Sequence, residues 1–530
     1  MKPFKAPLDD ILFTLNHVAG AHALSEWDAE FAGDIGAHFA AFAEGEIAPL
    51  DEPGDRQGCV LDDGRVRMPD GFCTLYKAYA EQGWPGLTAP EEFGGQGMGA
   101  MMLAIVSEVF SGANHSLQMV TGLVPGAIRV LMRFGTEEQK ARHIPGLASG
   151  ELLATMCLTE PGAGSDLSKV RCRAEQSGDG WRITGEKIFI SGGDQDMSDG
   201  IFHLVLARTS DNGVKGLSLF AVRDVVEGAR NGVSVTRIEE KMGLHASPTC
   251  QLAFDAAEAE LIGKEGQGLL AMFTMMNHAR SDVALQGVAH AARAYDVARA
   301  YAEERVQGRK PDGSAAVLAD HADVARMLDE IDMLALGGRA IAHLAFVTME
   351  RGDAPALVEF LTPVAKYYCT EAGMRAAELG VQVLGGYGYL SEYRLEQTYR
   401  DARITAIYEG ANGIHARTLA TRLLKGAEAE AFEEFLRAEA ERFGGGVSAV
   451  LSQWQEARDL LRGARDASVL ADDFMQVTAM ALLTALWARM ESAAEQHPEP
   501  ARITRVAARA GRWVRAFAPG YLVRMGEEAA

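Results

Sequence analysis

The sequence predicts an α+β protein of several domains. A helical N-terminal domain spans residues 1–156, an antiparallel β domain 157–262, a four-helix bundle 263–425 and a helical C-terminal extension 426–530. Three observations carry this reading. The length of 530 residues corresponds to about three or four domains of roughly 150 residues. An apolar share of 48% is that of a chain able to bury cores. The spacing of apolar residues changes twice, near 157 and again near 263.

Each element follows from its local pattern. DDILFTLNHVAGAHAL, EWDAEFAGDIGAHFAAFAEGEIAPL and MLAIVSEVFSGANHSLQMVTGL place apolar residues three and four apart, so residues 1–155 read mainly as helices. GWPGLTAPEEFGGQGMG, at 83–99, is a Gly/Pro-punctuated break between them. WRITGEKIFISGG, FHLVLART, GLSLFAVRD, GVSVTRIEE and TCQLAFD are short runs rich in β-branched and aromatic residues, which predict antiparallel strands. No stretch between them can form a helical crossover, which excludes a nucleotide-binding βαβ unit. The helical period then returns in three long segments beginning GLLAMF, HADVAR and PALVEF, and a last helix starts near Asn412. Four helices of this length with small contact residues predict a bundle. The Ala/Glu/Arg-rich segment after Gly426 predicts further helices.

Composition excludes other classes. With 51 Lys+Arg against 73 Asp+Glu, the net charge is −22, which opposes binding to nucleic acid or to an anionic membrane. Cys59, Cys73, Cys157, Cys172, Cys250 and Cys369 are far apart and form no C-x-x-C pair, so they read as reduced, mostly buried thiols of a cytoplasmic protein. MKPFKAPLDDILFTL lacks the apolar stretch of a secretory signal, and no run of about 18 apolar residues predicts a membrane span. Neither H-x-x-x-H nor H-E-x-x-H occurs, so no metal site is expected.

Three segments could carry chemistry. In MCLTEPGAGSD, at 156–166, Pro161, Gly162 and Gly164 prevent regular structure. Such a turn either aims backbone N–H groups at an anion or simply connects two domains. EKIFISGG, at 186–193, offers Phe189 to stack on a flat ring and Ser191 to hydrogen-bond its edge; a buried strand and turn is the alternative. In the 383–414 segment, Glu409 follows the mostly apolar ITAIY. A desolvated carboxylate there would be a base usable near neutral pH, whereas a solvated loop Glu would be only structural.

Taken together and in this order, TEPGAGSD, EKIFISGG and RDARITAIYEG resemble the acyl-CoA dehydrogenase family over roughly residues 75–425. KAPLDDILFTL, NHSLQMVTGL and the helical extension are most similar to the subgroup containing 3-methylmercaptopropionyl-CoA dehydrogenases. The resemblance implies an FAD enzyme that oxidises an acyl-CoA to trans-2-enoyl-CoA, with Glu409 removing the α-proton and hydride passing to flavin N5. It implies that Met156, Leu158, Thr159, Gly164 and Ser165 lie along the FAD, with Ser165 also near the thioester. Phe189, Ile190 and Ser191 would cover the ring. Arg305, Gln382, Gly385 and Gly386 would reach the FAD of a neighbouring subunit, and Ala411, Asn412 and Gly413 would complete the contacts. Asn277, Arg280 and Gly410 would bind the substrate. Departures from the family pattern are Gly308 where an aromatic is usual, Ala411 for the common Thr and Gly413 for a frequent Gln.

The family reading also implies a homodimer, an electron-transfer flavoprotein as acceptor, and either 3-methylmercaptopropionyl-CoA or a fatty acyl-CoA as substrate. An acyl-CoA oxidase of the same fold is the nearest rival. A DNA-associated flavoprotein of the alkylation-response kind is the other, prompted by Arg502, Arg505, Arg509, Arg512 and Arg515 at helical spacing. The alternative for these arginines is a solvated bundle face paired with the acidic 427–442 stretch.

Overall fold

A computed structural model describes residues 3–178 and 180–529. It divides into two compact units. One comprises Met1–Glu44, Ala100–Gly112 and Arg280–Ala530, the other Gly45–Gly99 and Ala113–Ala279. The divisions near 112 and 279 fall inside the helices Ala100–Thr121 and Gly268–Glu304. The first of these helices is interrupted at Asn114, whose φ of −161° and ψ of 93° are not helical. Its side chain then accepts from the Leu117 amide at 3.0 Å, capping a fresh turn.

The unit containing residues 113–279 is built on a seven-stranded sheet. The strands Thr249–Ile262, Gly180–Ser191, Arg173–Ser177, Gly200–Arg208 and Leu217–Arg223 pair in sequence around a ring, because Leu217–Arg223 pairs with both Gly200–Arg208 and Thr249–Ile262. Every residue of Gly200–Arg208 is buried, as a strand with both faces covered requires. Two findings depart from the sequence expectation. The strand Leu152–Cys157 runs parallel to Gly200–Arg208, so the sheet is mixed. Its LLATMC is almost wholly buried and has no alternation to announce a strand. A hairpin, Val60–Asp62 with Arg65–Arg67, also lies in the region read as helical. It is held from a distance: the Val66 amide donates to the Asp194 carboxylate at 2.7 Å and Arg65 Nε donates at 2.9 Å.

The other unit is helical. Its long helices are Ala322–Arg351 and Pro355–Leu384, with Gly268–Glu304 from Arg280 onward. The expected fourth helix of the bundle, Asn412–Thr421, is only 10 residues long. The extension does not build a core of its own. Phe360 of the bundle stacks on Phe432 at 4.5 Å between ring centroids, and Trp454, Phe474 and Met525 belong to the same buried cluster as Ile331 and Phe360. Ala322–Arg351 contains an 18-residue window apolar enough to cross a membrane, with mean hydropathy 1.3. All of that window is buried inside the protein, as in a core helix.

The basic helix Pro500–Ala529 contradicts the pairing expected from sequence. Its arginines meet Asp10, Asp329, Glu330, Asp332 and Asp473, not the 427–442 stretch. Arg502 is buried and donates to both oxygens of Asp332 at 2.7 Å. The acids of 427–442 find other arginines: Glu439 binds Arg489 through two contacts of 2.6 and 2.7 Å, and Glu433 binds Arg437 and Arg458. Sequence proximity carries no information about such long-range pairs.

Candidate active site

In the sheet unit, the turn after Cys157 is tied down from beneath. The buried Lys187 donates to the Leu158 carbonyl at 3.0 Å and to Glu160 at 2.8 Å. Glu160 in turn accepts from the amides of Arg171 and Cys172, so a buried charge is paired and fully hydrogen-bonded. The Ile188 amide donates to the Thr159 carbonyl at 2.9 Å, which brings Met156–Thr159 alongside the strand that carries Phe189. Gly164 and Ser165 lie exposed beyond, and a Cβ at Gly162 or Gly164 would meet nothing within 4 Å.

Phe189 is the outlier of this strand. It has φ of +60° and is 60% exposed. A bulky residue in the left-handed region costs on the order of 1–3 kcal/mol, and such strain clusters at ligand sites. Ile190 turns inward into the sheet core, while Ser191 is half-buried. Asn277 is exposed on its helix.

In the helical unit, Glu409 sits between the short turn Ile404–Ala406 and the helix Asn412–Thr421, again with a left-handed φ of +54°. Gly410 follows at φ +96°, where a Cβ would lie 2.9 Å from His415 Nε2, so both conformation and space require glycine. The carbonyls of this turn are held by buried donors. Arg280 Nε and His415 Nε2 reach the Glu409 carbonyl at 3.3 and 3.1 Å. Burial beside two cations holds the His415 pKa down at about 3, so its ring is neutral, and Nε2 must carry the proton it donates. Lys366 donates to the Gly410 carbonyl at 2.8 Å and to Asn412 Oδ1 at 2.9 Å.

The Glu409 carboxylate is treated differently from its backbone. Its Oε2 is buried and has no hydrogen-bond partner. Burial pushes its pKa up to about 7, against the opposing charges of Arg280 and Lys366, with Asp282 adding to the rise. A carboxylate with that proton affinity and a free oxygen is chemically able to take up a proton near neutral pH.

The other expected residues divide. Asn412 is buried, and its side chain is engaged within the unit: Nδ2 donates to Glu371 at 2.7 Å and to Thr370 at 3.0 Å. Ala411 and Gly413 are exposed beside it. Arg280 lies against the Glu409 backbone. Arg305 is exposed, with its guanidinium 5.8 Å from the Tyr387 ring, so it meets the segment that contains Gly385 and Gly386; Gln382 is exposed just before them. Lys366 was missed from sequence, although a lone lysine within LTPVAKYYC is itself a signal that a buried cation has a task.

Seen as chemistry, the Glu409 turn presents a carboxyl group of raised proton affinity. The comparisons with known proteins make the class specific. Family models for the N-terminal, middle and C-terminal domains of acyl-CoA dehydrogenase match residues 33–151, 155–257 and 266–424. The chain belongs to the acyl-CoA dehydrogenase family, and it is an oxidoreductase of that kind. It is 39% identical to the 3-methylmercaptopropionyl-CoA dehydrogenase of Ruegeria pomeroyi over 90% of this chain and 85% of that one. Identity is 34% to a broad-specificity linear acyl-CoA dehydrogenase of Mycobacterium tuberculosis, over 79% of this chain and 74% of that one. A Bacillus anthracis acyl-CoA dehydrogenase solved as a complex with FAD shares the fold with a TM-score of 0.76 at 22% identity, covering 94% of this chain and 89% of that one. That span includes most of the helical extension.

Proposed function

We propose that this protein is an FAD-dependent enzyme that removes the α-proton and β-hydride of an acyl-CoA thioester, with Glu409 as the base. The observation that carries the reading is the Glu409 carboxylate itself: its Oε2 is buried and without a partner, and its proton affinity is raised, on a strained turn.

The residues present fit a flavin. Phe189 offers an exposed aromatic face on left-handed backbone, and the Gly162–Gly164 turn leaves open space. Both suit a flat ring and a phosphate-bearing arm. Thr159, Ser165, Phe189 and Ser191 would hold the cofactor. When bound, FAD supplies the hydride acceptor. Glu409 accepts the α-proton at its carboxylate.

The substrate is read as an acyl-CoA, and the 3-methylmercaptopropionyl thioester is the first to test because of the name borne by the relative from Ruegeria pomeroyi. Linear fatty acyl-CoAs come second. An electron-transfer flavoprotein is proposed as acceptor and a homodimer as the working form. Anaerobic addition of acyl-CoAs to the purified protein tests the reading: the flavin absorbance bleaches with a substrate. No bleaching with any acyl chain overturns it. Oxygen consumption after bleaching would reassign the protein as an oxidase.

A further inference from the structure

The turn bearing the base is fastened by a cation that the reaction itself does not require. Lys366 is fully buried within the helix Pro355–Leu384. It makes two contacts below 3 Å, to the Gly410 carbonyl and to Asn412 Oδ1. Asn412 is locked in turn by Glu371 and Thr370. A buried ammonium held mainly by neutral acceptors is expensive to desolvate and persists where its charge serves another group.

We propose that Lys366 is a positioning residue for Glu409: its ammonium clamps the Gly410 carbonyl and the Asn412 side chain, fixes the left-handed turn that presents the base, and supplies that base with a neighbouring positive charge. The inference rests on the assignment of Glu409 as base. Three features support it. Glu409 and Gly410 are consecutive left-handed residues, a conformation that needs outside restraint. The Lys366 contacts fall on the residues immediately after the base. Glu409 and Lys366 also feel each other: the carboxylate is held below where burial alone would place it by Arg280 and Lys366, and the burial-lowered Lys366, at about 7, is supported by Glu409 and Glu371.

The other charged and titratable groups around the pair are Arg280 and Asp282 from the helix Gly268–Glu304, Glu371 from the helix of Lys366 itself, and Tyr408 and His415 beside the turn. Arg280 acts in the same direction as Lys366, and Asp282 acts against both. His415 is neutral and contributes a hydrogen bond without charge.

The pH profile of kcat/KM separates the clamp from the charge. Lys366→Gln keeps a donor for the Gly410 carbonyl but loses the charge, so its acid limb moves to higher pH by about one unit. Lys366→Arg keeps the charge and leaves the limb in place. Lys366→Met loses both functions, and its kcat also falls by about tenfold or more at the plateau. Infrared titration of the Glu409 carboxyl, identified by its loss in Glu409→Gln, moves the same way as the kinetic limb. Should Lys366→Gln not fold, Asn412→Ser removes one of the two acceptors and lowers kcat with KM little changed; an unaltered kcat overturns the proposal. A Gln variant with the wild-type limb, or an Arg variant shifted as far as the Gln variant, also overturns it. Failure of the wild-type protein to bleach with any acyl-CoA is a different result, because it removes the dehydrogenase reading itself.

Discussion

Two half-buried acids in the helical unit, Glu409 and Asp10, have opposite properties. Glu409 has an unpartnered oxygen and a pKa raised from 4.5 to about 7. Asp10 is half-buried too, yet His497, Arg502 and Arg339 surround it and hold its carboxyl far below the usual carboxylate range. Desolvation is the largest influence on both and acts upward on both. What differs is the number of donors aimed at the carboxylate. Burial therefore makes a base only where the fold withholds hydrogen bonds, and the same burial with two arginines and a histidine as partners makes a structural anchor.

The largest expected effect breaks the functional side of this contrast. Glu409→Gln should retain the fold and lose turnover by about 10²–10⁴-fold, the contribution of a positioned general base. Stopped-flow flavin reduction checks it, and near-normal reduction removes Glu409 from its role. On the structural side, Arg502→Met takes the paired guanidinium from the fully buried Asp332 and one of three partners from Asp10, and should cost about 3–5 kcal/mol in denaturant unfolding, because a buried carboxylate loses its counter-ion. A loss below about 1 kcal/mol would show that the anchor is dispensable.

The pH dependence of stability sharpens the comparison further, because the two acids have opposite signs. The raised value of Glu409 means that its contribution is complete below pH 4.5 and is lost as pH climbs through about 7. That interval corresponds to about 3 kcal/mol, so Glu409→Gln should gain stability relative to wild type when melts at about pH 5 and pH 9 are compared. Asp10 is lowered, so its stabilisation is present above 3.8 and disappears as the solution is acidified below that. Equal melting differences at both pH values would contradict the burial of the base. The smallest effect is expected at Arg505, whose bond to Asp329 at 2.9 Å lies on an exposed side chain: Arg505→Ala should change stability by less than about 1 kcal/mol.

Much of the turn that carries Glu409 was legible in the sequence because its causes are local. Apolar ITAIY before an acid, and glycine directly after it, are properties of consecutive residues, and they led to Glu409. Phe189 could be singled out for the same reason. The strand Leu152–Cys157 was not legible: a fully buried strand has no period of two. Lys366 escaped because its acceptors lie 44 and 46 residues away in sequence. The arginines of Pro500–Ala529 were recognised as one face of a helix, but their acids come from residues as remote as Asp10.

What the sequence determined by itself was the order of helical and β regions, the glycine-permitted turns, and the residue types available for proton removal. These depend on the chemistry of near neighbours. The tertiary structure alone decided which acid is paired and which has its proton affinity raised. It also decided that the extension shares a core with the bundle and that a lysine stands behind the Glu409 turn. Proton affinity and ion pairing depend on distances of a few ångströms between groups that the chain holds hundreds of residues apart, and only folding sets those distances.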